Sequence, residues 1–311
     1  MMRTTALFLS LLVGQFLGCQ RQQLNGIEYV ENPGAIGLEK GLWSPVDSNE
    51  FLVTASVSGF LGESEVYLFN LLDDSTQEIT KTARGDVLGE SWSLAGDKII
   101  LTANIDTEGY EDGGIWLWDK GTGNIQNLLC CKGIDAATMI NQNQIILSPV
   151  IGVNNGFADL ILLDINNRKE TKINSDFGKG HIYDLSFSQI RNALVFALWN
   201  EGVSTIHILE LENNSVSRIL VDRIKIDHPT WSPNGKMIAF TEPSLDGLLL
   251  KIINPDSGCE KVIPTTFHAI FSLTWSPDGQ KIAVVGNDEI IFIDLVKIFK
   301  TQLFDPSFLC E

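Results

Sequence analysis

The sequence predicts an all-β protein, a six-bladed β-propeller built from four-stranded antiparallel blades. Three observations support this: a repeated Trp-Ser-Pro-x-Gly motif, a spacing of 44 residues between its best copies, and short apolar strands in between. A repeat of this length with several short strands is typical of propeller arrays. No long stretch after the N-terminal segment shows the periodicity of an amphipathic helix.

The number of blades follows from the spacing of one residue, the aromatic at the start of the motif. Trp231 and Trp275 open the two best copies, and Phe187 lies 44 residues before Trp231. The gap of 95 residues between Trp92 and Phe187 is two periods, which places a hidden copy near residue 139. We call this the repeat position, and it is occupied by Trp43, Trp92, Met139, Phe187, Trp231 and Trp275.

Each unit has the same predicted order of strands. The first strand carries the repeat position, and a tight turn follows because Pro fixes φ and Gly accepts a positive φ. An apolar second strand, a variable loop, a third strand and a short outer strand complete the unit. The predicted third strands are residues 65–69, 114–118, 159–163, 205–209, 248–252 and 289–293. The large ring at the repeat position should pack between adjacent blades and belong to the core.

One stretch of the last unit is specific enough to suggest a family. The run TWSPDGQKIAVV with the downstream EIIFIDL resembles the repeat of the TolB-type six-bladed propeller, and the resemblance covers about residues 38 to 305. It implies a periplasmic or extracellular binding scaffold that docks envelope proteins through one face or the channel. The first repeat begins soon after the N-terminal segment, so we expect no counterpart of the α/β domain of TolB. We therefore do not assign the chain to the Tol system.

The N-terminus predicts export. Arg3 precedes the apolar run 6–13, which is too short to span a bilayer as a stable helix. Gly18-Cys19 at its end resembles the bacterial lipobox, in which the cysteine is lipidated. We therefore expect a signal peptide at 1–18, a tether at 19–37 and the propeller at 38–311, with membrane attachment through lipid on Cys19. Plain cleavage near Gly18 is the alternative.

Composition narrows the partners and the compartment. The 311 residues carry a formal net charge of −17, which disfavours nucleic acid and anionic membrane surfaces as ligands. An exported chain permits disulfides. The sequence leaves the pairing of four cysteines open: Cys130, Cys131, Cys259 and Cys310.

Candidate functional residues should lie on one face. We call the face with the second-to-third-strand loops and the interblade connections the loop face, and the one with the motif turns the turn face. Variable loops on a rigid scaffold usually carry function. His181, His228 and His268 precede first strands on the loop face, where they could bind a divalent metal or act with Asp184 or Asp227 in acid–base work. Some propeller lyases of acidic sugars have such a site; isolated loop histidines are the alternative.

A second candidate is an acidic loop. Its carboxylates could hold a cation through oxygen ligands, although their spacing is not that of an EF-hand. A solvated acidic loop is the other interpretation. The residues are Asp106, Glu108, Glu111 and Asp112.

The sequence contains no motif for a nucleophile, a metalloprotease or a P-loop. We therefore expect a monomeric, exported and lipid-anchored binding protein that recognises a protein or glycan partner, without a cofactor. A glycan-active lyase or hydrolase with a His-lined metal site is the alternative, and a structural subunit of an envelope assembly is a third hypothesis.

Overall fold

The computed structural model describes residues 21–24, 27–31, 37–56, 63–80, 85–106, 111–130, 133–150, 156, 158–173, 177–219, 225–286 and 289–300. These residues form a six-bladed propeller of antiparallel blades, as predicted. Each innermost strand contacts that of the next blade, and the last contacts the first, so the ring is closed.

The strands follow one another around the ring. Two N-terminal strands and the first three blades are β1 (Arg21–Leu24), β2 (Ile27–Glu31), then β3 (Leu38–Trp43), β4 (Glu50–Ser56), β5 (Glu63–Asn70) and β6 (Thr76–Glu78), then β7 (Gly85–Trp92), β8 (Lys98–Asp106), β9 (Glu111–Asp119) and β10 (Ile125–Cys130), then β11 (Ile134–Asn141), β12 (Gln144–Pro149), β13 (Ile161–Asp164) and β14 (Glu170–Lys172).

The last three blades repeat the same order of strands. They comprise β15 (His181–Ser188), β16 (Ala193–Asn200), β17 (Val203–Glu210) and β18 (Ser215–Arg218), then β19 (Asp227–Trp231), β20 (Ile238–Ser244), β21 (Gly247–Ile253) and β22 (Glu260–Phe267), then β23 (Ser272–Trp275), β24 (Lys281–Val285) and β25 (Glu289–Asp294). A short helix, α1 (Leu295–Phe299), follows, and Asp294 caps it by accepting a hydrogen bond from the Lys297 N–H. All six predicted third strands are present, and only that of the third blade differs appreciably in its bounds, since it begins at Ile161 and not at residue 159.

The N-terminal strands complete the sixth blade. β2 pairs antiparallel with β25, with Ile27 opposite Ile293 and Glu31 opposite Glu289, and β1 pairs with β2. Both strands lie within residues 19–37, the segment for which we expect a tether. The beginning of the folded chain is thus held in the same sheet as its last strands, which fastens the ring.

The hydrophobic core is divided among the seams between blades rather than gathered at the centre. Among the described residues there are six clusters of buried apolar side chains, and each draws on two adjacent blades. At the seam between the sixth and first blades, the rings of Trp43, Phe51 and Phe292 meet edge to face with centroids 5.2–5.8 Å apart. Such contacts stabilise beyond the area they bury.

The repeat position has the core role that its spacing predicts. Trp43, Trp92, Met139, Trp231 and Trp275 are all at most 7% exposed. Phe187 is half-buried and lines the central channel.

Hydrogen bonds along the innermost strands join the blades at this level. The backbone N–H of Met139 donates to Ser91 Oγ at 3.0 Å, and that of Trp231 donates to Ser186 Oγ at 3.0 Å. In both cases the acceptor is the residue before the repeat position of the preceding blade. Met139 therefore uses the same backbone contact as a tryptophan copy.

The turn of each motif is fixed by its small and polar residues. In the fifth blade, Ser232 is buried, its hydroxyl donates to Asn234 Oδ1 at 2.8 Å, and it accepts from the Met237 N–H. Gly235 has φ +65, and a Cβ there would lie 2.7 Å from Ser188 Oγ of the preceding blade. The glycine thus serves both the turn conformation and the close approach of two blades.

We expect Gly235→Ala to lower the free energy of unfolding by more than the cost of positive φ alone, which is about 1–2 kcal/mol. Gly258→Ala is the matched control, because Gly258 has φ +74 but a Cβ added there would meet no atom within 4 Å. Chemical denaturation of both variants measures the difference. Equal decreases in the free energy of unfolding would show that the close approach to Ser188 does not contribute to the cost of the substitution.

Candidate functional site

The six innermost strands surround a channel with a cavity of about 210 Å³. Its walls come from all six blades and include Leu42, Ser91, Thr138 and Thr230. The cavity extends towards the turn face, where Pro45 and Leu94 contribute. At its other end lie four charged side chains, which we call the channel layer: Lys40, Glu90, Asp184 and His228.

Two of the four residues in the channel layer have an unusual backbone conformation. Asp184 and His228 each lie three residues before the repeat position of their blade, and both have positive φ, +53 and +54. Both sit where the pairing of the first and second strands shifts register. His228 also precedes Pro229, a position that favours extended conformations. Strained residues of this kind persist where the surrounding structure fixes them, and they are concentrated at functional sites.

The two strained residues form an ion pair between the fourth and fifth blades. His228 Nδ1 lies 3.0 Å from Asp184 Oδ2, and both atoms are buried. Burial alone would lower the pKa of His228, but the Asp184 carboxylate outweighs it and, with a hydrogen bond to the backbone of Ile270, raises that pKa above its usual value. His228 therefore tends to stay charged while it connects three blades.

The other half of the layer lies across the channel, on the first two blades. Lys40 Nζ lies 2.6 Å from Glu90 Oε2, and Glu90 also accepts a hydrogen bond from Thr102 at 2.7 Å. Burial favours protonation of Asp184, but the charges of His228 and then Lys40 hold its pKa below the usual range. The layer thus has two positive and two negative groups, and it crosses the channel as a balanced network.

We expect His228→Gln to lower the free energy of unfolding by about 3 kcal/mol, the lower end for breaking a buried ion pair, at pH values below the ordinary histidine pKa of about 6.5. Because folding raises the pKa of His228, its contribution is complete below the unfolded pKa and is lost as pH rises through the folded pKa. The difference in stability between the wild type and the variant should therefore become smaller towards alkaline pH. Melting temperatures measured across that range test this.

His207 provides the control for that measurement. Burial lowers the pKa of His207 to about 4, so the folded protein favours the neutral imidazole. Protonation of His207 therefore destabilises the fold at acid pH, and alkaline pH has no such effect. For His207→Gln, the difference in stability from the wild type should change only as pH falls below about 6.5. A difference for His228→Gln that is independent of pH would contradict the charged ion pair.

The three candidate histidines lie in separate environments. His181 begins β15, with Nδ1 3.3 Å from Asp135 Oδ2, whereas His228 pairs with Asp184. His268 is exposed after β22. Among the described residues, no group of three His, Cys, Asp or Glu side chains is arranged to hold a metal ion. Asp227, the second candidate acid, accepts a hydrogen bond from the Tyr183 hydroxyl.

Other candidate residues fall at the limits of the described chain. Asp106 and Glu111 are paired at the ends of β8 and β9, with Asp112 opposite Ile105, and Glu108 lies outside the described residues. Cys19 lies outside them as well.

The described cysteines, Cys130 and Cys259, are both disulfide-bonded. They lie on the second and fifth blades, at opposite sides of the ring, so they are not each other's partner. Cys131 and Cys310 lie outside the described residues.

The sequence pointed to Asp184 and His228 but not to the other ion pair of the channel layer, Lys40 and Glu90. The signal was available, because Lys40 also lies three residues before its repeat position and Glu90 lies two before. Counting back from the repeat position in every unit would have identified these charges. It would also have identified Asp135, which lies four residues before Met139.

Solved structures with the same architecture are known. The chain is similar to TolB from Acinetobacter baumannii, with 17% identity, a TM-score of 0.59, and coverage of 94% of this chain and 68% of that one. The present chain therefore has the TolB-type propeller fold. A putative TolB from Agrobacterium tumefaciens is 16% identical, with a TM-score of 0.59 and coverage of 86% and 97%. No family model and no curated protein sequence matches the chain.

A third similar structure is an enzyme. An oligogalacturonate lyase in complex with manganese is 10% identical, with a TM-score of 0.56 and coverage of 89% of this chain and 96% of that one. At this identity the likeness concerns the fold alone. The described residues of this chain do not fit a manganese site, because His181 and His228 bind separate carboxylates and His268 stands apart. In the described part of the chain, no helix is long and apolar enough to cross a membrane.

Proposed function

We propose that the protein is an exported, lipid-anchored propeller that binds a protein or glycan partner through its loop face. The observation that carries this proposal is a row of exposed apolar side chains on four consecutive blades of that face. They are Val150, Trp199, Leu245 and Phe271, between 39% and 104% exposed. Exposed aromatic and large aliphatic side chains grouped on one face are typical of binding surfaces.

Two of the exposed apolar residues on the turn face lie close to glycines of the adjacent blade. A Cβ on Gly96 would contact Val46, and one on Gly235 would lie 3.5 Å from Ile190 Cβ. Val46 and Ile190 therefore cover the turn glycines of the next blade. These two side chains thus serve the seams between blades, so their exposure does not indicate a binding surface on the turn face.

The small volume of the channel cavity argues against an enzyme site inside the channel. Its volume of about 210 Å³ is below the roughly 300–1,000 Å³ of sites that enclose a small-molecule ligand. The charges of the channel layer neutralise one another instead of leaving an activated base or nucleophile. The His-lined lyase is therefore the weaker hypothesis.

A crosslinking experiment tests the binding face. A photo-reactive benzophenone residue replaces Leu245 on the loop face or Leu72 on the turn face, both of which are highly exposed leucines. In intact cells, we expect discrete adducts from position 245 and none from position 72. Adducts from position 72 alone, or manganese-dependent cleavage of oligogalacturonate by the purified protein, would overturn the proposal.

Export and anchoring are supported by the sequence before Cys19 and by the disulfides of Cys130 and Cys259, which suit an oxidising compartment. We expect Cys19→Ser to abolish incorporation of radiolabelled palmitate and to release the protein from the membrane fraction. Gln23→Ser is the control and should retain both properties. Retention of the label in Cys19→Ser would exclude the lipid anchor.

A further inference from the structure

The most exposed tryptophan of the described chain lies on the loop face. Trp199, near the end of β16, is 42% exposed, whereas the tryptophans of the repeat position are 5–7% exposed and Trp118 is 1% exposed. The buried tryptophans have a packing role between blades. Packing does not account for Trp199, because much of its indole surface faces solvent.

The chain holds this indole in a defined position. His181 is the cross-strand partner of Trp199, and the two rings lie 5.3 Å apart at 57°. Gly180, with φ +137, brings the chain so close that a Cβ there would lie 2.3 Å from the Trp199 carbonyl oxygen. Glycine is therefore required where the two strands meet. An aromatic surface fixed in this way loses little entropy when a ligand binds.

A carboxylate from the neighbouring blade orients the imidazole. Asp135 Oδ2 lies 3.3 Å from His181 Nδ1, and both side chains are partly exposed, at 22% and 33%. With the Nδ1 proton directed to Asp135, Nε2 is left to accept a hydrogen bond. Within the described part of the chain, the structure gives Nε2 no partner. An oriented hydrogen-bonding group thus stands beside the aromatic surface.

We propose that Trp199, His181 and Asp135 form a subsite for an uncharged pyranose sugar, which rests on the proposed function and specifies its ligand. One face of a pyranose ring carries mainly C–H groups, which pack on an indole, while its hydroxyls need donors and acceptors at the rim. The imidazole and the carboxylate supply those groups. The cluster therefore matches the two chemical sides of one sugar unit.

Charge around the subsite excludes acidic sugars. Asp135 belongs to the subsite, and Asp227 lies on β19, the adjacent inner strand. Glu90 is close enough to add to the raised pKa of Asp135, which burial mainly causes. The ion pairs Lys40–Glu90 and Asp184–His228 each balance their own charges, so the excess of negative charge comes from Asp135 and Asp227. A uronic acid would meet this excess of carboxylates, so a neutral sugar is favoured over galacturonate.

Calorimetric titration of the full-length folded protein tests the subsite. The probes are neutral tetrasaccharides of glucose and of N-acetylglucosamine, with trigalacturonate as the acidic counterpart. We expect binding of at least one neutral probe and weaker or no binding of trigalacturonate. Trp199→Ala should reduce affinity at least tenfold, Trp199→Phe should retain part of it, and Asp135→Asn should reduce it by a smaller factor.

Leu72→Ala is the control, since Leu72 is a highly exposed apolar residue on the turn face, outside the proposed binding surface. Its affinity should equal that of wild type. Failure of every neutral probe to bind, unchanged affinity in Trp199→Ala, or a preference for trigalacturonate would each overturn the sugar subsite. Adducts from position 245 would then still support the loop face as a binding surface for a protein, so the two failures are distinguishable.

Discussion

Every blade depends on its neighbours to bury both of its faces. The six apolar clusters each join two blades, so in the part of the chain that the structure describes no blade has a separate core, and the blades are stabilised by closing the ring. The pairing of β2 with β25 meets this requirement, because it joins residues near the two ends of the described chain in one sheet. It also covers what would otherwise be an exposed edge strand. The rigid positions of the loop-face residues follow from this closure.

The innermost strands combine structural and polar roles within a few residues. The repeat position and the residue before it join the blades, while the positions two to four residues earlier carry the charges and side chains of the channel and its loop-face mouth. In the fourth and fifth blades, Asp184 and His228 turn inward through a left-handed backbone conformation. A scaffold that is stabilised at the seams tolerates such strain on its inner surface. The channel can thus vary chemically without loss of the fold.

Much of this architecture could be predicted because its signals are local. The motif specifies a turn within five residues, and even Met139 could be found from its spacing. The role of β2 could not be predicted, since its pairing partner lies at the other end of the chain. The charged positions could be counted back from the repeat position, but which of them pair, as Lys40 does with Glu90, could not be predicted, because the partners lie on different blades. The exposure of Trp199 depends on a tertiary environment that residue type does not indicate.

The strand β1 has a consequence for how the molecule would stand at a membrane. Only one residue separates Cys19 from Arg21, so the chain from a lipidated Cys19 to the start of β1 could span at most about 7 Å. Arg21 is paired with Val30, beside Ile290 near the start of β25, which places this attachment at the loop-face edge of the sixth blade. This edge of the propeller would then be held close to the lipid surface, and the short attachment would restrict the motion of the propeller relative to the membrane. Its reach would be confined to partners held at nearly the same height above the membrane.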